Sequence, residues 1–303
     1  MRRLPFFLFL PVLAALLMGL VLERPARAAA VNVFVSVPPQ KYFVERVGGK
    51  RVKVSVLVPA GADPHTYEPK PATMVDLARS AAWFTIGVPF EENLLPRLSQ
   101  ANPGLVIIHT EEGVQRVAPA AGYGAPAERL ASGEAAGTHG YEGVDPHIWL
   151  SPRLVKQQAE NILQGLIRVD PAGEKVFRAN ARRFQAELDA MHRELKVLFA
   201  GARDRSVLVF HPSWGYLASD YGFRQVAIEV EGKEPKGADL AAVVEKAREK
   251  RVREIFVEPQ FSSRSARAIA DSIGAKLVRA DPLAANWADN LRKTARAFRG
   301  ALR

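Results

Sequence analysis

Three histidines occur in short segments whose residues suit a metal ion. The segments are Gly-Ala-Asp-Pro-His-Thr-Tyr at 61–67, Asp-Pro-His-Ile-Trp-Leu-Ser-Pro at 145–152 and Val-Phe-His-Pro-Ser-Trp-Gly at 209–215. A neutral imidazole is the commonest side-chain ligand of zinc and its neighbours, and three such nitrogens supply most of a four-coordinate shell. A single histidine is more often a structural residue, but these three together predict a transition-metal site formed by His65, His147 and His211.

A fourth ligand is expected to be an oxygen donor, because the sequence contains no cysteine. A carboxylate would also bring the site closer to charge balance with a divalent ion. Asp281, in Arg-Ala-Asp-Pro-Leu at 279–283, is the first candidate, and Glu258, in Val-Glu-Pro-Gln at 257–260, is the alternative. Either carboxylate could instead cap a helix or pair with a nearby arginine.

The acids beside the histidines are interpreted as supporting groups. Asp63 and Asp145 each lie two residues before a predicted ligand, and Asp145 is also kept as an alternative ligand. The acids Glu229, Glu231 and Glu234 are expected to belong to a solvated loop.

The other three histidines of the chain are not predicted to be ligands of this site. His139 lies in a segment at 111–143 that is rich in Gly, Ala and Glu and lacks apolar periodicity, which predicts a surface loop. It is a weak candidate for metal capture. His109 ends an apolar strand without polar neighbours, and His192 is expected on the exposed side of a helix, so both are left out of the site.

The elements that position these residues alternate between strands and helices. Continuous apolar runs are typical of parallel strands buried on both faces. They are predicted at 31–37, 52–58, 83–87 and 105–109, with 147–150 as a further candidate, and again at 206–210, 225–230, 254–257 and 276–279. Helices are predicted at 71–81, 91–100, 240–250, 265–273 and 287–298. This alternation favours an α/β fold with two lobes, at 29–170 and 201–303.

The strongest periodic signal lies between the lobes. Apolar residues spaced by alternating fours and threes run from Phe177 to Leu198, which predicts one long helix at 171–200 with a single apolar seam. At ~1.5 Å per residue it would extend roughly 45 Å and could act as a rigid spacer. The predicted ligands follow strands, and carboxyl ends of parallel strands meet at one edge, so a site in the cleft between the lobes is expected.

Residues 1–28 have the pattern of a secretory signal peptide, with arginines before an apolar run that ends near Ala-Arg-Ala at 26–28. An uncleaved anchor is the alternative. Without cysteine there is no lipoprotein site, so a soluble exported protein is expected. The formal charge of +10 falls to +7 once the leader's four arginines and one glutamate are removed. In an exported protein this argues against nucleic acid and is compatible with an anionic membrane surface.

The chain resembles the metal-binding (cluster A-I) solute-binding proteins of zinc and manganese ABC transporters, similar to the high-affinity zinc uptake members. The resemblance covers nearly all of the mature chain. Besides the three histidine segments it rests on Val-Pro-Pro-Gln-Lys-Tyr-Phe at 37–43, Glu-Gly-Lys-Glu-Pro at 231–235 and Phe-Val-Glu-Pro-Gln-Phe at 256–261. It implies two lobes, each around a four-stranded mainly parallel sheet, one connecting helix and a metal between the lobes.

The resemblance also implies the ligands and the partners. His65, His147 and His211 match the family's ligand histidines, and Asp281 matches a carboxylate ligand of many members. A permease and its ATPase are the implied partners of an otherwise monomeric, non-enzymatic protein. Zinc members often carry a histidine-rich acidic loop, which here retains only His139.

Zinc is the expected cargo, since three imidazoles and one carboxylate suit it better than manganese, and iron is less expected still. A secreted zinc hydrolase with Glu258 as general base is a more distant alternative. The chain carries neither a His-Glu-x-x-His run nor a nucleophile elbow to support it. A lobe that binds an organic metal chelate is the third hypothesis.

Overall fold

The computed structural model describes residues 29–117, 144–229, 234–235, 237–262 and 264–302. The predicted signal peptide at 1–28 lies outside the described residues. So do His139, Glu231 and most of the predicted loop at 111–143.

The first half of the chain forms a four-stranded parallel sheet. Its strands are β1 (Val31–Val35), β2 (Val52–Val56), β3 (Ala82–Thr85) and β4 (Val106–His109), in the order β2-β1-β3-β4. All of β3 is buried, as expected for a strand covered on both faces. The predicted strands are confirmed, with bounds that differ from the prediction by at most two residues.

The second half repeats this arrangement. The strands are β5 (Ser206–Val209), β6 (Arg224–Ala227), β7 (Glu254–Val257) and β8 (Lys276–Arg279), and their order is β6-β5-β7-β8. All three pairings are parallel. The two lobes thus use the same strand order around a central pair, which confirms the predicted fold class.

The described residues form nine α-helices. They are α1 (Pro38–Gly48), α2 (Pro71–Ala78), α3 (Pro89–Ala101), α4 (Pro152–Val169), α5 (Glu174–Leu198), α6 (Gly215–Tyr221), α7 (Ala238–Glu249), α8 (Arg264–Ile273) and α9 (Trp287–Ala301). Proline opens α1, α2, α3 and α4, where its missing N–H costs no hydrogen bond. Within the described residues, no helix combines the length and the apolar character that crossing a bilayer requires.

The long helix is shorter than the sequence predicts. A 3₁₀ turn (Pro171–Gly173) precedes it, and α5 itself covers 25 residues, Glu174–Leu198. Its predicted apolar seam is buried and packs against α1, α4 and α9. Sequence analysis missed α1, the 18-residue α4 and the short α6. The tentative strand at 147–150 is wrong, because Ile148–Leu150 forms a 3₁₀ turn that leads into α4.

Two apolar cores surround the sheets. The larger one runs from the first sheet through α5 to one face of the second sheet, where it includes Val207 and Val209. The smaller core lies under the other face and contains Leu208 and Phe210. Alternate residues of β5 therefore point into different cores, and the main core continues across both lobes.

Candidate metal centre

The three predicted histidines meet between the two sheets. His65 lies in the loop after β2, His147 precedes the 3₁₀ turn that leads into α4, and His211 follows β5. One ligand nitrogen from each ring lies within 4.8 Å of the other two. The ring centroids are 5.1 to 5.4 Å apart. No other group of three or more His, Cys, Asp or Glu residues meets this criterion among the described residues.

His147 is oriented by an aspartate two residues earlier. Asp145 Oδ1 accepts the His147 backbone N–H at 2.9 Å and lies 2.7 Å from His147 Nδ1. A carboxylate only accepts, so Nδ1 carries the proton and Nε2 is left as the metal-binding lone pair. Gly215 allows this approach, since a Cβ there would lie 2.9 Å from Asp145 Oδ2.

His211 is oriented by two glutamates that are distant in sequence. Glu229 Oε2 lies 2.6 Å from His211 Nδ1, and Glu258 Oε2 accepts the His211 backbone N–H at 3.3 Å. The expectation that Glu229 lies in a solvated loop is wrong, because this residue is only 7% exposed. His211 Nε2 is buried and has no hydrogen-bond partner among the described residues. This nitrogen is therefore ready to bind a metal ion.

The position of Glu229 follows from the pairing of two strands. The residue lies two positions after β6, and β6 pairs with β5. Neighbouring parallel strands end at the same edge of a sheet, which brings Glu229 beside the histidine that follows β5.

His65 is held by short-range contacts. Its backbone N–H donates to Asp63 Oδ1 at 2.9 Å, and Thr66 Oγ1 donates to Asp63 Oδ2 at 3.1 Å. Burial, and then the nearby His211 and His147, hold the pKa of His65 well below its usual value. Burial also lowers the pKa of His147, although Asp145 opposes the shift. These two rings are therefore neutral, as metal binding requires.

Asp281 and Glu258 lie outside the group of three histidines. Asp281 Oδ1 accepts from Gln260 Nε2 at 2.9 Å and from the Leu283 backbone N–H at 3.0 Å. Gln260 and Leu283 themselves line the cavity at the histidines. Glu258 is buried beneath His211, and burial raises its pKa well above the usual value. In this structure Asp281 thus touches the residues of the cavity wall rather than the rings.

Tryptophans connect the two lobes next to the site. Trp149 Nε1 donates to the Pro282 carbonyl at 2.8 Å, and Trp287 Nε1 donates to the Trp149 carbonyl at 2.7 Å. Both indoles are buried. The loop that carries His147 is thereby attached to the loop after β8, so the distance between the lobes is restrained near the histidines.

The remaining described histidines lie elsewhere. His109 has polar company after all, because its Nδ1 lies 3.1 Å from both Thr85 Oγ1 and Glu111 Oε1. That expectation was wrong, although the residue is still separate from the metal centre. His192 is half-buried and its Nδ1 lies 3.2 Å from Tyr221 Oη.

A model of the family described as "Zinc-uptake complex component A periplasmic" matches residues 33–301. The chain belongs to this family. Among its relatives, the high-affinity zinc uptake system protein ZnuA of Bacillus subtilis (strain 168) is 27% identical over 250 residues. That match spans 81% of this chain and 76% of the relative.

Solved structures of the family have the same fold. A crystal structure of ZnuA is 40% identical, with a TM-score of 0.80, and the match covers 90% of this chain and 100% of the other. A ZnuA 138-173 deletion mutant with zinc bound is also 40% identical, with a TM-score of 0.79 and coverage of 90% and 98%. The resemblance expected from the sequence motifs is confirmed.

Proposed function

We propose that this protein captures zinc outside the cytoplasm and delivers it to an ABC importer. The observation that carries the proposal is the convergence of three imidazoles from distant parts of the chain, with their ligand atoms within 4.8 Å of one another. Two nitrogens bound to one tetrahedral zinc lie about 3.4 Å apart, given bonds of ~2.0–2.1 Å. The rings need only a small inward movement to share one ion.

The donor set and the family support zinc. Nitrogen ligands favour zinc over manganese in the intrinsic affinity order, and manganese prefers sites with more oxygen. The name of the Bacillus relative refers to zinc uptake, and a structure that is 40% identical contains bound zinc. Manganese is therefore the second candidate for this site.

His65, His147 and His211 are the proposed nitrogen ligands, and Asp281 is proposed as the fourth ligand. For Asp281 to bind the metal, its carboxylate must exchange the Gln260 and Leu283 contacts for the ion. The position of both residues on the cavity wall keeps this exchange local. Asp145 and Glu258 are proposed to support the rings.

Transport requires partners and an extracytoplasmic location. A membrane permease and its ATPase are the proposed partners, in keeping with a family defined by a zinc-uptake complex. We propose cleavage after residue 28 and no lipid anchor. The proposed lobes are 29–170 and 201–303, joined by the helical segment at 171–200.

Calorimetric titration of the metal-free mature protein tests the proposal. Wild-type protein is expected to bind one zinc ion tightly and manganese more weakly, and His65→Ala is expected to lose most of the zinc affinity. The matched control is His109→Ala, which removes a histidine outside the centre and should bind zinc like the wild type. Binding that survives in His65→Ala would reject His65 as a ligand.

The hydrolase hypothesis predicts a different result. It requires turnover of an ester or peptide by the zinc-loaded protein, and loss of that turnover in Glu258→Gln. Glu258 instead accepts the His211 backbone N–H from a buried position, so we expect no turnover.

A further inference from the structure

Positive charge is concentrated where the strands of the second sheet begin. Arginine or lysine occurs within the three residues before each strand or at its first position. These residues, named here the basic edge, are Arg203, Arg205, Arg224, Arg251, Arg253 and Lys276, and all are exposed. His211 follows the carboxyl end of β5, so the basic edge lies at the opposite end of this sheet from the metal centre.

Backbone contacts bring the residues of the basic edge together. Arg224 N–H donates to the Arg205 carbonyl at 2.8 Å, and Lys276 N–H donates to the Arg253 carbonyl at 2.9 Å. The register of β5 with β7 aligns these two pairs across the centre of the sheet. Because neighbouring strands lie about 4.8 Å apart, the cations extend over roughly 15 Å.

Acidic residues neutralise only part of this charge. Within the same positions there are two, Asp204 and Glu254. Asp204 pairs with Arg224 at 2.8 Å, with both side chains mostly exposed. Arg205 donates to the Leu302 carbonyl at 2.7 Å, a contact that leaves its charge uncompensated.

The equivalent edge of the first sheet is different. The same positions before β1 to β4 contain only Lys50, Arg51 and Arg79. Arg51 forms two hydrogen bonds with the Asp170 carboxylate, at 2.7 and 2.8 Å. An arginine-rich composition would charge both edges alike, so the contrast belongs to the second lobe.

Backbone geometry adds a second observation. Asp204 and Arg251 are the described non-glycine residues with positive φ, at 62° and 52°, and both lie in turns that enter the second sheet. A left-handed conformation disfavours residues with a Cβ and usually selects glycine or asparagine. The turn at Arg251 thus carries a cation at a position where glycine would be less strained.

An exposed apolar side chain lies at the same end of the molecule. Val197, in the last turn of α5, is 77% exposed, more than any other large apolar residue among those described. The chain continues from there to Arg203, and Arg299 Nε donates to the Leu198 carbonyl at 3.0 Å, which joins the ends of α5 and α9. Cations around an exposed apolar group are typical of proteins that lie on membranes.

We propose that the basic edge, together with Val197, binds the surface of an anionic phospholipid bilayer. The cations would attract lipid phosphates, and Val197 would reach the boundary between headgroups and acyl chains. A metal carrier held at the membrane would search for its permease over a surface instead of through a volume. This role goes beyond zinc capture and requires no zinc.

Co-sedimentation of the full mature protein with vesicles tests the proposal. Vesicles of phosphatidylglycerol and phosphatidylcholine should bind the protein at low ionic strength and release it as salt screens the charges. Vesicles of phosphatidylcholine alone should not bind it. A variant of the basic edge carries Arg203→Gln, Arg251→Gln, Arg253→Gln and Lys276→Gln. Its bound fraction should be about tenfold lower than that of the wild type, or lower still.

A control variant makes the same change in net charge away from the basic edge. It carries Lys50→Gln, Lys53→Gln, Arg79→Gln and Lys175→Gln, all at exposed positions, and should bind vesicles like the wild type. Zinc titration of both variants should match the wild type and show that they are folded. An equal loss in the two variants, or equal binding to neutral vesicles, would overturn the proposal.

Two single substitutions refine the test. Val197→Gln should weaken binding to vesicles severalfold and leave binding to soluble dextran sulfate unchanged. If the wild-type protein binds dextran sulfate but not vesicles, the ligand of the basic edge is a soluble polyanion and not a bilayer. Arg251→Gly should raise the midpoint of thermal unfolding while it lowers vesicle binding. If Arg251→Gly binds vesicles normally, Arg251 is not part of the surface.

Discussion

The two lobes share one strand order but support their histidines in different ways. In the first lobe, the backbone N–H groups of His65 and His147 each donate to an aspartate two residues earlier, and the aspartate before His147 also contacts its ring. In the second lobe, His211 depends on Glu229 and Glu258, which are 18 and 47 residues away. The contacts in the first lobe join residues two positions apart and need only the local turn of each loop. Those in the second lobe exist only when β5, β6 and β7 have assembled.

The two lobes also differ in the number of imidazoles that they contribute to the metal centre. The first lobe supplies two of the three rings from irregular segments, and the second supplies one ring fixed by buried carboxylates. A metal ion bound by all three therefore connects the lobes. Substitutions on each side of this connection can test it.

The largest effect is expected from His211→Ala. This histidine is the imidazole that the second lobe supplies, so its removal leaves the ion with two imidazoles of the first lobe and the proposed Asp281 carboxylate of the second. We expect zinc affinity to fall by more than about a hundredfold, beyond the effect of losing a supporting group. Calorimetry measures this loss. The rise in unfolding temperature that zinc gives the wild type, a consequence of binding to the folded state, should largely disappear. A zinc-dependent rise that persists would contradict the connection.

Glu229→Gln should have the next largest effect. The amide oxygen can still accept from Nδ1, but it raises the basicity of the metal-binding Nε2 less than a carboxylate does, so zinc affinity should fall about 10- to 100-fold. The matched substitution in the first lobe is Asp145→Asn at His147. Fluorescence competition with a zinc chelator measures both, and Glu234→Gln serves as a control on a half-buried acid near the same strand. Unchanged affinity in both variants would reject the supporting role of these carboxylates.

Asp281→Asn should have a smaller effect. If this carboxylate is the fourth ligand, three imidazoles still hold the ion, and we expect zinc affinity to fall about fivefold to tenfold. Gln260→Leu separates the two possible roles of Asp281, because it removes the hydrogen bond between the side chains and keeps the carboxylate. The visible spectrum of the Co²⁺-loaded protein should change in Asp281→Asn and should match the wild type in Gln260→Leu. The reverse pattern would indicate that Gln260, and not Asp281, contacts the ion.

Glu91 allows a prediction in the first lobe that does not involve zinc. Burial raises its pKa to about 8, and its carboxylate accepts backbone N–H groups from Ile86 and Gly87 at 2.7 to 3.2 Å. In the unfolded chain this group ionises near its ordinary value of 4.5. Between these values the folded state holds more protons, so the free energy of unfolding falls as pH rises, and it levels off above about 8.

Glu91→Gln should remove this dependence. Between pH 6 and pH 9 the free energy of unfolding of the wild type should fall by on the order of 1 kcal/mol more than that of the variant. Chemical denaturation at the two pH values measures the change. Zinc affinity at a fixed pH should be unaffected. A parallel pH profile for the variant and the wild type would show that Glu91 does not titrate in this range.

Local patterns in the sequence were sufficient for much of the architecture. Continuous apolar runs identified the eight strands, and alternating spacing identified the seam of α5, because burial on both faces or on one stripe leaves a direct mark on composition. Two of the histidine segments also carry a local signal, since Asp63 and Asp145 each accept the backbone N–H of the histidine two residues later. The 3₁₀ turn at Ile148–Leu150 was mistaken for a strand because three apolar residues fit either structure.

Only the tertiary structure decided the contacts between distant segments. Glu229 looks like a loop acid until β6 pairs with β5, and the hydrogen bond from Gln260 to Asp281 forms only when the segments after β7 and β8 meet. The basic edge likewise forms only when four parallel strands begin on one side of a sheet. Composition and periodicity record the environment of single segments, whereas side-chain partners depend on which segments the fold brings together.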